Sequence, residues 1–257
     1  MRLAIYSDVH GNLTALQTVL ADIKKQAPDL VAFAGDLCLM GPRPRACLEL
    51  ARESTDIFVY GNTDEMIHTP LNIPEAAPEA QRLRWESFNE LAQWTHDQLG
   101  PENVAWLERL PFSHRLGPTA VPTDDLLIVH ANPLDVNQVI YPTAEFQTEL
   151  LGQVKWEQGD EGLRPLLQTT TAGIIAFGHL HIPNVRRWGE TILANISSIN
   201  LPADGDERAK YGLLTWRKGD GWTVEKRVVA YNTHNEKEVL AFIKPPHLEK
   251  LLSSMMK

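Results

Sequence analysis

Residues 1–14 read MRLAIYSDVHGNLT, and the organisation of the whole chain follows from this stretch. The apolar run at 3–6 is typical of a buried strand, whereas apolar residues recur at helical spacing from Leu13 onward. Asp8 and His10 therefore lie where a strand ends and a helix begins, which is where open α/β sheets bind ligands. Two residues apart on extended chain, their side chains are expected to point to the same side. A carboxylate and an imidazole that converge in this way suit a divalent metal ion.

The same pattern returns at the ends of the next two predicted strands. The strand over 29–34 is followed by Asp36, and the strand over 56–60 is followed by Asn62. Gly35, just before Asp36, allows neighbouring backbones to approach closely. The chain between successive ligands has the length of a strand, a crossover helix and two loops. Parallel strands are therefore expected to place all three ligands along one sheet edge.

Two further strands, in the second half of the chain, end at histidines. The strand over 125–129 is followed by His130, and the strand over 173–177 is followed by His179 and His181. The other elements predicted in this half are strands over 184–188, 190–195, 211–217 and 222–229, and helices over 146–154, 162–169, 236–243 and 247–255.

Each of these side chains also has a purely structural interpretation. A single Asp at a strand end commonly caps a helix, an Asn beside Gly commonly forms a turn, and a buried His is commonly hydrogen-bonded within a core. The set is more specific than any one member, because Asp-x-His, Gly-Asp, Gly-Asn, a terminal His and Gly-His-x-His occur at five predicted strand ends. The remaining histidines are interpreted as structural: His68, His96, His114, His234 and His247.

The segment from about 66 to 110 interrupts the alternation of strands and helices. Residues 68–83 contain several prolines and are predicted to form an ordered loop, followed by helices over 84–99 and 102–110. We expect this helical insertion to lie over one end of the sheet and to help select the substrate. The chain as a whole, 1–257, is predicted to form a single domain.

The composition is that of an ordinary globular protein. Of the 257 residues, 43% are hydrophobic and 22% are charged, which is sufficient for a sizeable core. A net charge of −9 without Lys/Arg-rich runs argues against extended nucleic-acid binding but allows a small phosphorylated substrate. Two cysteines, Cys38 and Cys47, fit a reducing compartment. With no signal peptide and no apolar run near the ~20 residues of a membrane span, we expect a cytoplasmic protein without membrane contact.

Taken together, the motifs resemble those of the calcineurin-like metallophosphoesterases. The matching stretches are Asp8-Val9-His10-Gly11-Asn12, Gly35-Asp36, Gly61-Asn62-Thr63-Asp64, His130 and Gly178-His179-Leu180-His181. Residues 35–42 and 204–211 are similar to the compact bacterial phosphodiesterase branch of that superfamily. The resemblance implies an α/β fold with four layers, α/β/β/α: a two-sheet β-sandwich flanked by helices on both outer faces.

The resemblance also implies a dinuclear metal centre. The implied ligands are Asp8, His10 and His181 for one metal, Asn62, His130 and His179 for the second, and Asp36 as the bridge. This mixture of ligands favours Mn, Fe or Zn, with Mg as a further candidate. The implied reaction is hydrolysis of a phosphodiester by in-line attack of a hydroxide that bridges the metals, and a nucleotide is one candidate for this small phosphorylated substrate. The residues implied in catalysis through the metals are Asp8, His10, Asp36, Asn62 and His130, and substrate contacts are expected from Asn62 and Arg43.

Three positions depart from the family pattern. Thr63 stands where the protein phosphatases carry a His that protonates the leaving group, and Met40 stands where they carry an Arg. The loop 195–198 reads Asn-Ile-Ser-Ser in place of Asn-Pro-Gly-Ser. The alternatives that stay open are a phosphomonoesterase or nucleotide pyrophosphatase, a catalytically silent scaffold for protein partners, and a metal-dependent regulatory binder. The physiological substrate and the oligomeric state also stay open.

Overall fold

The computed structural model describes residues 1–254, which contain ten strands and nine α-helices. The strands are β1 (Arg2–Tyr6), β2 (Leu30–Ala34), β3 (Ile57–Val59), β4 (Ser113–Leu116), β5 (Leu126–Val129), β6 (Ile174–Phe177), β7 (Asn184–Trp188), β8 (Thr191–Asn195), β9 (Ala209–Arg217) and β10 (Gly221–Val229). The helices are α1 (Leu13–Gln26), α2 (Pro44–Ser54), α3 (Asn62–His68), α4 (Glu79–Leu99), α5 (Pro101–Leu107), α6 (Ala144–Leu151), α7 (Asp160–Leu167), α8 (Thr233–Ile243) and α9 (Leu248–Ser254).

The strands form two mixed sheets of five strands each. The strand order is β10-β9-β1-β2-β3 in the first sheet and β4-β5-β6-β8-β7 in the second. Strands β1, β2 and β3 are parallel to one another, and so are β5, β6 and β8. Helices α1 and α2 provide the two crossovers between the parallel strands of the first sheet. The predicted two-sheet sandwich is confirmed.

Alternate residues of the strands pack on opposite sides of each sheet. In β1, Leu3 and Ile5 belong to the core between the two sheets. Their neighbours Ala4 and Tyr6 pack instead in a cluster with apolar residues of α1 and α2. On the second sheet, Phe177 packs in a third cluster with α7. Because each fully buried leucine or isoleucine contributes about 1.5–3 kcal/mol, this alternation holds helices against both outer faces.

Helix α1 begins directly after the first motif because Asn12 caps it. The Asn12 Oδ1 atom accepts a hydrogen bond from the backbone N–H of Ala15 at 2.9 Å, an interaction that typically stabilises a helix by about 1 kcal/mol. The Asn12 Nδ2 atom donates to Asn200 Oδ1 at 3.0 Å. The cap therefore also ties the loop after β1 to the segment between β8 and β9.

Three elements differ most from the sequence prediction. The predicted loop over 68–83 ends early because α4 begins at Glu79, where good helix formers follow the last proline of the loop. The sequence does not predict β4, because this edge strand lacks an apolar run; it nevertheless pairs antiparallel with β5. The sequence also does not predict α3, a seven-residue helix that begins at Asn62.

The last helix, α9, packs against α4. His247 Nε2 lies 2.9 Å from Glu90 Oε2, and Lys250 Nζ donates to Ser87 Oγ at 3.1 Å. The predicted helix over 247–255 agrees with α9 as far as Ser254, and residue 255 lies outside the described residues. Within residues 1–254, no helix combines the length and the apolarity that a membrane span requires.

Candidate metal centre

Seven polar side chains from five loops converge where the strands of both sheets end. The loops follow β1, β2 and β3 in the first sheet and β5 and β6 in the second; β4, which lies between β3 and β5 in the chain, contributes none of them. The converging residues are Asp8, His10, Asp36, Asn62, His130, His179 and His181. All seven are positions that the sequence assigns to the metal site.

The side chains form two groups, in each of which the candidate ligand atoms lie within 4.8 Å of one another. The members of the groups are Asp8, His10 and His181 in the first and Asp36, His130 and His179 in the second. Asn62 adjoins the second group, since its Oδ1 atom lies 3.0 Å from His130 Nε2. Asp36 Oδ2 lies 3.7 Å from His10 Nε2 and 3.5 Å from His130 Nε2, so this carboxylate faces both groups.

Each of the four histidines is oriented by a backbone carbonyl that accepts a hydrogen bond from one ring nitrogen. The donor, acceptor and distance are His10 Nδ1 to Leu39 O at 3.0 Å, His130 Nδ1 to Ala34 O at 2.9 Å, His181 Nδ1 to Leu201 O at 2.8 Å, and His179 Nε2 to Asn137 O at 2.9 Å. A carbonyl can only accept, so the proton of each neutral imidazole lies on the ring nitrogen that faces the carbonyl, here called the outer nitrogen. The other ring nitrogen, the inner one, faces the ligand group and is left with a lone pair, as in metal-binding histidines.

These inner nitrogens face one another in pairs. His10 Nε2 lies 3.2 Å from His181 Nε2, and His130 Nε2 lies 3.1 Å from His179 Nδ1. In the neutral rings, two lone pairs at these distances repel each other, and a cation between them turns the repulsion into attraction. The donor set of imidazole nitrogens, carboxylates and one amide oxygen therefore fits two divalent cations.

The protonation states that the fold favours for His10, Asp8 and Asp36 also suit metal binding. Burial and the neighbouring His181 lower the pKa of His10 to about 3, so that its imidazole is neutral. Burial alone would raise the pKa of Asp8, but the imidazoles of His181, His130 and His10 lower it below its ordinary value. Burial and Asp8 raise the pKa of Asp36 to about 6. Near neutral pH the site thus presents ionised carboxylates beside a neutral imidazole, which is what a divalent cation requires.

A cavity of about 470 Å³ opens over the two groups. Its floor includes His10, Asp36, Asn62, Thr63, His179 and His181. A model of the calcineurin-like phosphoesterase family matches residues 1–183. The chain belongs to this family.

Three relatives indicate how far the similarity extends. A metallophosphoesterase from Sphaerobacter thermophilus is 25% identical with a TM-score of 0.70, and the match covers 100% of this chain and 98% of that one. A hypothetical protein from Pyrococcus horikoshii OT3 has a TM-score of 0.73 at 16% identity and shares the fold over 98% of this chain and 97% of its own. An uncharacterized protein of Methanocaldococcus jannaschii is 25% identical over 228 residues, which cover 81% of this chain and 80% of that protein.

The prediction of extended backbone at Asp8 and His10 is wrong, because both residues of this calcineurin-like phosphoesterase are left-handed. Five of the seven residues have a positive φ: Asp8 (55°), His10 (45°), Asp36 (66°), His179 (68°) and His181 (61°). Hydrogen bonds between the backbones of neighbouring loops stabilise this conformation. For example, Asp8 N donates to Gly35 O at 2.9 Å. A left-handed non-glycine residue costs on the order of 1–3 kcal/mol, so the surrounding fold over-determines the positions of these side chains.

Asp64 is a buried carboxylate that organises the phosphoesterase site, a role that the sequence does not predict. It accepts hydrogen bonds from the backbone N–H groups of Asp36 and Leu37, each at 2.8 Å, and of Gly61 at 3.0 Å. It thereby joins the loop after β2 to the loop after β3. A usable signal was present, because an acidic residue three positions after a helix cap commonly binds backbone N–H groups there.

The carbonyls of Leu39, Ala34, Leu201 and Asn137, which orient the histidines, have no sequence signal, because every residue type carries a carbonyl. Asn137 and Leu201 also line the cavity. These contacts follow only from the tertiary fold.

Arg43, for which the sequence predicts a substrate contact, is not among the residues that line the cavity. Its guanidinium donates to Thr14 Oγ1 at 2.7 Å and forms an ion pair with the buried Glu236 of α8. These contacts join α8 to the start of α1. Met40 and Thr63, which stand where the protein phosphatases carry an Arg and a His, both line the cavity.

Proposed function

We propose that this protein hydrolyses phosphodiesters with the help of two divalent metal ions, of which Mn, Fe and Zn fit best and Mg is a further candidate. The observation that carries the proposal is the pair of ligand groups that share Asp36 at the floor of an open cavity. The residues that would hold the metals are Asp8, His10, Asp36, Asn62, His130, His179 and His181. When bound, two such ions activate water and neutralise charge on the phosphoryl oxygens.

The protein's own residues orient this site. The backbone N–H of Thr63 donates to Asp36 Oδ1 at 2.9 Å, which leaves Oδ2 directed toward both ligand groups. The Asn62 side chain turns its Oδ1 toward His130. Its Nδ2 group is then a donor that we assign to a phosphoryl oxygen of the substrate. The carbonyl-bound histidines keep their inner lone pairs fixed, so little reorganisation is needed during turnover.

The proposed reaction favours esters with good leaving groups. The hydroxyl of Thr63 does not titrate near neutral pH, and the three histidines that line the cavity belong to the ligand groups. Among the described residues of the cavity lining, none is therefore assigned as a general acid. Without one, the leaving oxygen must depart as an anion or take its proton from water, and either route is faster for an acidic alcohol.

The preference for diesters over monoesters rests on charge. A monoester dianion carries one more negative charge than a diester and needs more cationic partners. Arg84, which is exposed, is the one Lys or Arg among the described residues that line the cavity, and Met40 occupies the position of the phosphatase arginine.

We further infer that residues 1–257 work as one domain in which the insertion at 66–110 covers this site, because Leu71, Arg84 and Trp85 line the same cavity.

The test is the hydrolysis of bis(p-nitrophenyl) phosphate and of p-nitrophenyl phosphate by the same protein. After EDTA treatment we expect neither ester to be cleaved, because the ligand groups are empty. Added Mn²⁺, Zn²⁺ or Mg²⁺ is expected to restore cleavage, with a higher kcat/KM for the diester. Faster cleavage of the monoester would favour the phosphomonoesterase alternative. Two bound metals without cleavage of either ester would contradict the proposal and favour the silent scaffold.

A further inference from the structure

Beside the candidate ligands, the cavity is lined by a set of apolar and aromatic side chains, here called its wall. It is formed by Met40, Met66, Leu71, Trp85 and Phe88, with Arg84 beside them. Only Met40 lies outside the segment that the sequence identifies as an insertion. The cavity thus combines a polar floor that suits a phosphoryl group with a wall that suits a flat apolar group.

Helix α4 holds the two aromatic rings of this wall in fixed positions. Trp85 and Phe88 are three residues apart and therefore lie on the same face of the helix. Further along the helix, the Asn89 side chain accepts a hydrogen bond from Leu71 N at 2.8 Å and donates to Leu71 O at 3.0 Å. This clamp holds the loop before α4 against the helix and places Leu71 in the same wall.

Trp85 differs from its neighbour in what it contacts. Phe88 packs against the core cluster, and the guanidinium carbon of Arg84 lies 5.8 Å from the centre of its ring. Trp85 is half-buried, and within residues 1–254 it stacks on no other aromatic ring and lies under no cation. Its indole is the large aromatic surface that the cavity leaves for a ligand.

We propose that this wall binds the nucleobase of a nucleotide phosphodiester, with Trp85 as the stacking platform. The proposal rests on the proposed phosphodiesterase function, because the phosphoryl group must lie at the candidate metals for the base to reach the wall. A volume of about 470 Å³ lies within the usual range for a small-molecule site. Stacking accepts any base, since every base has a π-face, so Trp85 selects nucleotides as a class.

A second cavity supports a substrate with two organic groups. It has a volume of about 300 Å³ and lies between α4 and α9. It shares Met40, Arg84 and Phe88 with the first cavity, so the two adjoin. A diester has a second substituent that needs such space, whereas a monoester has none. Arg84, at the boundary, is placed to contact the negative charge of the ligand.

The experiment compares the binding of AMP and ribose 5-phosphate to the full-length protein loaded with Mn²⁺. The two share the 5-phosphate and the ribose, and AMP alone carries a base, where ribose 5-phosphate has a hydroxyl. Calorimetry is expected to show that AMP binds about tenfold more tightly than ribose 5-phosphate. Trp85→Ala is expected to weaken AMP binding to the level of ribose 5-phosphate and to leave ribose 5-phosphate unchanged. Trp85→Phe should retain most of the difference. The matched control is Phe242→Ala, since Phe242 is 86% exposed on α8 and lines neither cavity.

Three results would overturn the proposal. The wild-type protein could bind AMP and ribose 5-phosphate with equal affinity, Trp85→Ala could lose affinity equally for both ligands, or the wild-type protein could bind neither ligand. Failure of the proposed function gives a different result. In that case AMP still binds more tightly than ribose 5-phosphate in a Trp85-dependent manner, but the metal-loaded protein hydrolyses no ester.

Discussion

Asp36→Ala is expected to abolish tight binding of both metals and to reduce hydrolysis to background. Asp36 is the one candidate ligand whose carboxylate faces both groups, 3.7 Å from His10 Nε2 and 3.5 Å from His130 Nε2. Its removal takes a negative charge from each metal position at once. We expect metal affinity to fall by more than about 100-fold, since even a group that only orients a metal ligand is worth 10–100-fold. Metal content after dialysis and the metal-dependent cleavage of bis(p-nitrophenyl) phosphate measure the two effects.

Asp36→Asn is the matched control for this variant. The amide keeps the size of the side chain and an oxygen that can accept the N–H of Thr63, so the loop after β2 should keep its shape. We expect the fold to be retained, with metal affinity between that of the wild-type protein and that of Asp36→Ala. Wild-type activity in Asp36→Ala would show that the bridging assignment is wrong.

Gly61→Ala is expected to damage the site although it changes no candidate ligand. A Cβ atom at position 61 would lie 2.1 Å from Asp36 Oδ1 and 2.5 Å from the Asp36 backbone nitrogen. Either the Asp36 side chain rotates away from the ligand groups or the two loops separate. We expect a loss of about 1–3 kcal/mol in the free energy of unfolding, together with weaker metal binding. Urea denaturation of the metal-free protein separates the first effect from the second.

The chain offers a closely matched control in Gly159→Ala. Gly61 and Gly159 both precede a helix, both have a negative φ and both occupy the cap position, so the two variants share the cost of alanine as a cap. A Cβ atom at Gly159 would have no heavy atom within 4 Å, in contrast to Gly61. The difference between the two variants therefore reports the contact with Asp36 alone. Equal effects in both would contradict the close-approach account.

The sequence predicts the parts of this molecule that depend on local pattern. Buried strands such as 3–6 and the ligands that follow them are visible because apolar runs and metal-binding residue types have a recognisable order. The gathering of Asp8, Asp36 and Asn62 is also predictable, because the parallel strands that precede them end at one edge of the first sheet. Strand β4 cannot be predicted from the sequence, because Ser113–Leu116 becomes a strand only by pairing with β5. Its conformation comes from tertiary contact rather than from its own composition.

In the site too, some features can be predicted from the sequence and others depend on tertiary contacts. The identities of the ligands can be predicted, but the positive φ of Asp8 and His10 cannot, because it depends on hydrogen bonds to the loop after β2. The carbonyls that set the histidine tautomers cannot be predicted from the sequence either, since they lie far from their partners in the chain. For example, the carbonyl of Leu201 orients His181. The role of Arg43 depends on Glu236, which only the position of α8 brings near.

The most direct test of the dinuclear centre is anomalous X-ray diffraction from crystals of the full-length protein grown with Mn²⁺. We expect two anomalous peaks, about 3.5–4 Å apart, with Asp36 in contact with both. The expected contacts of the peaks are Asp8, His10 and His181 for the first and Asn62, His130 and His179 for the second. A single peak at full occupancy, or two peaks of which Asp36 contacts only one, would contradict the account.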